Sequence, residues 1–282
     1  MKNITSKITL FIAAAALCIS INACKKNTTD SDLSTVQDNA QAESESNYIG
    51  SAADAGAANT NQDKPESTQS NSYILPSCAT STFAAGSGNV PNMITITFNN
   101  CVCYDGKTRN GSIIVTWPVG YHYRDSGIVI HTYTSGYTVN GNTHQYSKWV
   151  TNIGRVNGYY TFDINDTATI TFPKLNNETI SWTSSRVRTW TQGYNTPLLF
   201  WNTIYSITGS ASGTDKKGIP FTVNITSPII ANFGCIYIIT GGTYDVQPQG
   251  KAERVISFVG GCSGNATCTI NGITYTFQFA NY

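Results

Sequence analysis

Charge is scarce in this chain. Of its 282 residues, 17 are Lys or Arg and 16 are Asp or Glu, so 12% are charged and the net charge is +1. An ordinary globular protein carries roughly 25%. So little charge excludes a broad electrostatic nucleic-acid binder. Glu, Lys and Leu are too sparse for a coiled coil or a helical bundle. No stretch shows a convincing helical period. The chain also lacks a nucleophile elbow, a phosphate loop, a zincin helix and a dinucleotide fingerprint, so it nominates no catalytic residue and no cofactor. What it has is threonine, 38 times, with 16 Tyr and 24 Gly. Thr, Tyr, Val and Ile suit pleated sheets, which makes an all-β fold the expectation.

Residues 1–23 have the layout of an export signal. Lys2 and Lys7 form a basic start, and Ile8 to Ser20 an apolar run. That run is too short to span a bilayer, which takes about 20 apolar residues. It ends Ile21-Asn22-Ala23-Cys24, which resembles the bacterial lipobox. The resemblance implies cleavage before Cys24 and acylation of that residue, giving a lipid anchor in the outer membrane. Several acyl chains on one residue anchor firmly, whereas one chain binds only marginally. The plainer reading is an ordinary cleaved signal.

Residues 24–72 read as the lipidated Cys followed by a disordered acidic tether. From Lys25 to Ser72 there are eight acids (Asp30, Asp32, Asp38, Glu43, Glu45, Asp54, Asp63, Glu66) and three lysines, a net −5. Without an apolar period such a segment does not offset its ordering entropy. As a coil it would span roughly 40 Å, enough to hold a domain clear of a membrane. In Bacteroidota lipoproteins an acidic run directly after the lipid Cys accompanies surface display. Here Lys25-Lys26 comes first, so periplasmic and surface orientation both stay open.

Residues 73–282 carry 12 basic and 8 acidic side chains, a net +4. Period-two runs recur: Ile94/Ile96/Phe98, Ile113/Val115/Trp117, Tyr160/Phe162/Ile164, Ala168/Ile170/Phe172, Val223/Ile225 and Ile273/Tyr275/Phe277. Between them lie Asn110-Gly111, Asn140-Gly141, Asn157-Gly158 and Asn271-Gly272, which suit type I′ hairpin turns. Asp215-Lys216-Lys217-Gly218 reads as a longer turn. Short turns join antiparallel neighbours. One antiparallel meander of about ten to twelve strands follows, as a sandwich, a rolled sheet or a partial barrel.

Six cysteines lie in this domain: Cys78, Cys101, Cys103, Cys235, Cys262 and Cys268. In an exported chain they are candidate disulfide partners, with 15 pairings available. Cys101 and Cys103 sit too close on one face to pair with each other, so each is expected to bond elsewhere. Zinc-ribbon spacing is missing, and no metal ligand set is nominated. His122, His131 and His144 would need to converge in space to form one.

The most informative segment is Trp182-Thr-Ser-Ser-Arg186-Val-Arg188-Thr-Trp190. In a strand, Trp182, Ser184, Arg186, Arg188 and Trp190 share one face. Such a stripe could stack sugar rings on indoles and bind hydroxyls or carboxylates through guanidinium forks. Structurally it is equally a set of Arg stems packed over aromatics. Trp117, Trp149 and Trp201 read as core or sheet-face packing. The domain's eight acids carry no motif, so a glycosidase pair cannot be named.

Four stretches resemble a family of uncharacterised Bacteroidota lipoproteins: Ile94 to Trp117 with its DGKTRNG, Trp182 to Gly193 with its RVRTW, Ile207 to Cys235, and Gly261 to Phe277. The resemblance carries no functional residue. Against the family pattern, Cys101/Cys103 and Cys262/Cys268 are additional, which suggests a further disulfide between those two regions, an expectation that free thiols at Cys103 and Cys268 would overturn. The expected function is therefore a membrane-anchored cell-envelope module, non-catalytic, binding a glycan or another envelope protein or acting structurally. The alternative is an envelope enzyme such as a polysaccharide hydrolase.

Overall fold

The computed structural model describes residues 30–62, 75–194, 202–235 and 238–278. The signal segment, Cys24, the two ends of the expected tether and Trp201 lie outside them.

One 13-stranded antiparallel sheet runs in strict sequence order. Its strands are β1 (Ala79–Ala84), β2 (Asn92–Val102), β3 (Thr108–Trp117), β4 (Val129–Val139), β5 (Asn142–Val156), β6 (Tyr159–Phe172) and β7 (Glu178–Gln192). There follow β8 (Ile204–Thr214), β9 (Pro220–Asn232), β10 (Ile239–Pro248), β11 (Arg254–Phe258), β12 (Asn265–Ile270) and β13 (Ile273–Gln278). The meander is thus as expected, with slightly more strands. The alternation sorts the faces: Ile94, Ile96, Phe98, Ile113, Val115, Trp117, Ile170 and Ile180 are buried, while the Thr and Ser between them face out.

Three of the four Asn-Gly pairs make tight turns with both residues at positive φ: Asn140-Gly141, Asn157-Gly158 and Asn271-Gly272. Asp215 to Gly218 joins β8 to β9, closed by a Gly218 N–H bond to the Asp215 carbonyl at 2.9 Å. Asn110-Gly111 departs from expectation. It lies inside β3, where the pairing with β4 slips between Asn110 and Ser112. A Cβ on Gly111 would come within 2.2 Å of the Gly136 carbonyl oxygen. The pair serves as a bulge because the neighbouring backbone passes too close for a side chain.

The expected disorder of the tether is wrong over its middle. Residues Ser34–Asn59 form α1, a 26-residue helix that is largely buried. About 39 Å long, it lies inside the curve of the sheet. Glu43 reaches Arg186 on β7, Glu45 reaches Arg109 on β3, and Ser46 reaches Asp166 on β6. Those helix residues rise about 5 Å along the axis, yet β3 and β7 laid flat would stand about 19 Å apart. The sheet must therefore wrap around the helix. Near its C-terminal end Ala52, Ala53, Ala55, Gly56 and Ala57 are all buried, whereas Ser51, Asp54 and Ala58 on the remaining side stay partly exposed. Small residues permit this approach: a Cβ on Gly56 would sit 2.8 Å from Ile96 Cδ1.

The disulfides are Cys78–Cys101 and Cys235–Cys262. Cys103 and Cys268 are buried free thiols, which overturns the expected disulfide between the Cys101/Cys103 and Cys262/Cys268 regions and the expectation that Cys103 bonds a partner of its own. Cys103 is engaged otherwise: the Tyr48 hydroxyl of α1 donates to its Sγ at 3.4 Å.

Candidate functional site

Two places combine polar groups with aromatic or open surface. One is the interior between α1 and the middle strands; the other is the outer face of β4–β7.

Inside, ion pairs join residues 30–45, the entry to α1 and its N-terminal half, to the sheet. Arg254 Nη2 donates to both oxygens of Asp30 at 3.0 and 2.8 Å, and also bonds the Ala252 carbonyl through Nη1. Lys251 lies 2.7 Å from Asp32, and Lys216 lies 2.9 Å from Asp38. Lys251 and the Ser34 backbone N–H hold the Asp32 carboxyl far below its ordinary range, whereas burial raises that of Asp38. Arg109 is fully buried. It donates Nε and Nη2 to Glu45 at 3.2 and 3.0 Å, and Nη1 and Nη2 to Asp105 at 2.8 and 2.7 Å. Burial works against its charge, but the two carboxylates more than offset that and keep it cationic. The Tyr137 hydroxyl also donates to Glu45, at 2.7 Å, and the Tyr48 ring lies 3.4 Å under the guanidinium.

The Trp/Arg stripe of β7 does share one face, and that face points inward. Trp182 is 2% exposed and donates its indole N–H to Asn39 of α1 at 2.9 Å. Trp190 is 4% exposed, in a second cluster with Phe162, Ile164, Tyr205 and Ala231. An open sugar-stacking surface over these two indoles is therefore excluded by burial. Between them, Arg186 and Arg188 line a small chamber that also touches Glu43, Ser46, Lys148 and Asp166. Lys148 Nζ stands 3.0 Å from Asp166, which also accepts from the Ser46 hydroxyl at 2.6 Å and the Ser184 hydroxyl at 3.5 Å. Arg186 pairs with Glu43 at 3.1 Å. Arg188 instead lies over the rings of Tyr205 and Phe162, at 4.6 and 5.0 Å.

The three histidines occupy different environments. His122 meets Asp125 near a surface turn. His144 is buried against the Arg109 region, with neither ring nitrogen partnered. Burial drives its pKa down to about 4. His131 faces out. Among the described residues, no group of three or more His, Cys, Asp or Glu side chains could hold a metal ion.

The outer face holds a site that residue pattern alone placed with ordinary packing. Trp149 on β5 is 47% exposed. Its indole stacks on His131 of β4 with centroids 3.8 Å apart and planes 5° apart, and Tyr133 continues the stack at 5.0 Å. His131 Nε2 shares a 2.9 Å hydrogen bond with the Ser147 hydroxyl, and burial lowers its pKa, favouring the neutral ring. Strand register sets hydroxyls and amides beside this patch. Trp149 is followed across the sheet by Asn165, Ser185, Ser210 and Asn224. Ser147 is followed by Thr167, Thr183, Ser212 and Thr222. The clue available in the sequence was Trp149 in alternation with Lys148 and Val150. Which of these faced in could not be known without the helix.

No protein-family model matches this chain, and no curated protein or solved structure does either.

Proposed function

We propose that the protein is a lipid-anchored cell-envelope module that binds uncharged glycan, without catalysis, on the outer face of β4–β7. The carrying observation is the exposed Trp149 indole, stacked on His131 and bordered by uncharged rows of Ser, Thr and Asn. An indole face held rigid by stacking offers a flat apolar platform to the C–H face of a pyranose, and flanking hydroxyls and amides match its ring hydroxyls. Exposed aromatic surface of this kind marks binding sites more often than chance. The lipobox supports anchoring through Cys24 in the outer membrane. The hydrolase alternative has less in its favour: the interior carboxylates Glu43 and Asp166 are each engaged by a cation.

Retention of the full chain in native gels cast with neutral polysaccharides tests the reading. Trp149→Ala should run unretarded with its thermal midpoint preserved. Equal retention of that variant would overturn the site, and release of reducing ends from the polymer would favour the enzyme.

A further inference from the structure

The inner face of β7 has hydrogen-bond donors left over. Arg186 is 95% buried, and its Nε and Nη2 are spent on Glu43, leaving Nη1 with no partner. Arg188 Nε and Trp190 Nε1 are likewise buried and unpartnered. Beyond Trp182, Asn39 Nδ2 is a fourth orphan donor. Arg186, Arg188 and Trp190 occupy successive inward positions of β7 at steps of about 6.7 Å, Asn39 lies on α1, and Arg186 and Arg188 are the two that line the chamber. Every one is a donor. Buried donors in native proteins are nearly always satisfied, so a run of orphans calls for an absent partner. Water supplies acceptors and donors in equal measure, whereas this set asks for acceptors alone.

Charge points the same way. The chamber is lined by three cations, Lys148, Arg186 and Arg188, against two carboxylates, Glu43 and Asp166. Lys148 pairs with Asp166 and Arg186 with Glu43. Among the described residues no carboxylate makes an ion pair with Arg188, and the surplus is one positive charge. The free volume is about 40 Å³, room for roughly three waters. Exposed Asn47 and partly exposed Glu43 mark its route to solvent. We infer that this chamber is a second binding site, taking a single oxyanion group, a carboxylate or a phosphate, held between Arg186 Nη1 and Arg188 Nε. It is separate from the outer glycan face, and its ligand is chemically opposite: charged, small and enclosed.

The test titrates the full chain with sodium phosphate and with sodium acetate, against sodium chloride at matched ionic strength. Indole fluorescence reports binding, since Trp182 lines the site, and the thermal midpoint reports stabilisation by mass action. A saturable response to either oxyanion but not to chloride is expected. Response to phosphate alone identifies a phosphoryl ligand, and response to acetate alone a carboxylate. Arg188→Gln, which breaks no ion pair, should weaken binding at least about tenfold, or 1.4 kcal/mol. Should that variant not fold, Arg188→Lys keeps the charge, loses Nε, and should weaken binding in the same direction. No saturation, an equal response to chloride, or unchanged affinity in a folded Arg188 variant would each overturn the site. Trp149→Ala must leave anion binding intact and Arg188→Gln must leave glycan retention intact, so failure of one site is told apart from failure of the other.

Discussion

On the inner face of the sheet stand Arg109, Lys148, Arg186 and Arg254, all buried; on the outer face, along β6 to β9, stand Thr167, Thr183, Ser212 and Thr222, all exposed. Soluble proteins ordinarily place these classes the other way, with charge outside. The inversion has a local cause. Each of these four cations meets a carboxylate: Glu45 and Glu43 come from α1, Asp30 from the segment leading into it, and Asp166 from β6. The helix has no apolar stripe with which to enter a sheet. Ion pairs and alanine-sized contacts seat it instead. A buried pair is a poor source of net stability but a strict one of register, because misplacing it leaves a bare charge in the interior. The outer face, freed of that task, carries rows of uncharged hydroxyls and amides on β5 to β9, with Asp163 and Asp245 as acids on the same side.

The comparison breaks most sharply at Arg109. Arg109→Met leaves buried Glu45 and half-buried Asp105 with only Lys107, at 3.8 and 4.0 Å, between them. It should cost about 3–5 kcal/mol in urea unfolding, the range for removing one partner of a buried pair. A loss below 1 kcal/mol would mean that the inner pairs are as dispensable as surface ones. Next comes His144. Its folded-state pKa is depressed to about 4, against about 6.5 unfolded. As pH falls through 6.5 the unfolded chain takes up the proton first, so stability is full above that value and is lost progressively down to pH 4. At about 1.4 kcal/mol per unit the loss approaches 3 kcal/mol. Urea midpoints followed from pH 7.5 to 4 should show this fall in the wild type and a shallower one in His144→Gln. Parallel curves would place the titration elsewhere.

Much of this architecture could be read from the residues. Alternation in Ile94/Ile96/Phe98 and Ile113/Val115/Trp117 gave the inward faces correctly, and three Asn-Gly turns fixed hairpins. Asn110-Gly111 misled because a bulge, like a type I′ turn, calls for glycine at positive φ, while here only Gly111 and not Asn110 takes it. The helix was hidden for a different reason. Its seven alanines are strong helix formers, but its burial depends on partners 64 to 224 residues away, as for Glu45 with Arg109 and Asp30 with Arg254. One trace of it was visible. Residues 25–72 carry a net −5 and residues 73–282 a net +4. That imbalance, which also suits a solvated spacer, is the charge complementarity of a helix and its sheath. The β7 stripe was likewise legible as one face, though not as the inner one, since only the enclosed helix makes that side an interior.

The smallest effects belong to the outer face, and they decide whether its hydroxyls serve the fold or a ligand. Thr183 Oγ1 shares a 3.0 Å hydrogen bond with Ser212 Oγ across β7 and β8. Both side chains are exposed, so water replaces the bond when it is lost. Thr183→Val keeps the branched shape that suits a strand and removes only the hydroxyl. Its unfolding free energy should lie within about 0.5 kcal/mol of wild type, as surface substitutions do. If the row is a structural ladder, loss of one member disturbs its neighbours and the cost exceeds that range. If the row is a recognition surface, stability holds while glycan retention weakens. The same variant measured both ways therefore separates a face that holds the sheet from a face that the sheet presents.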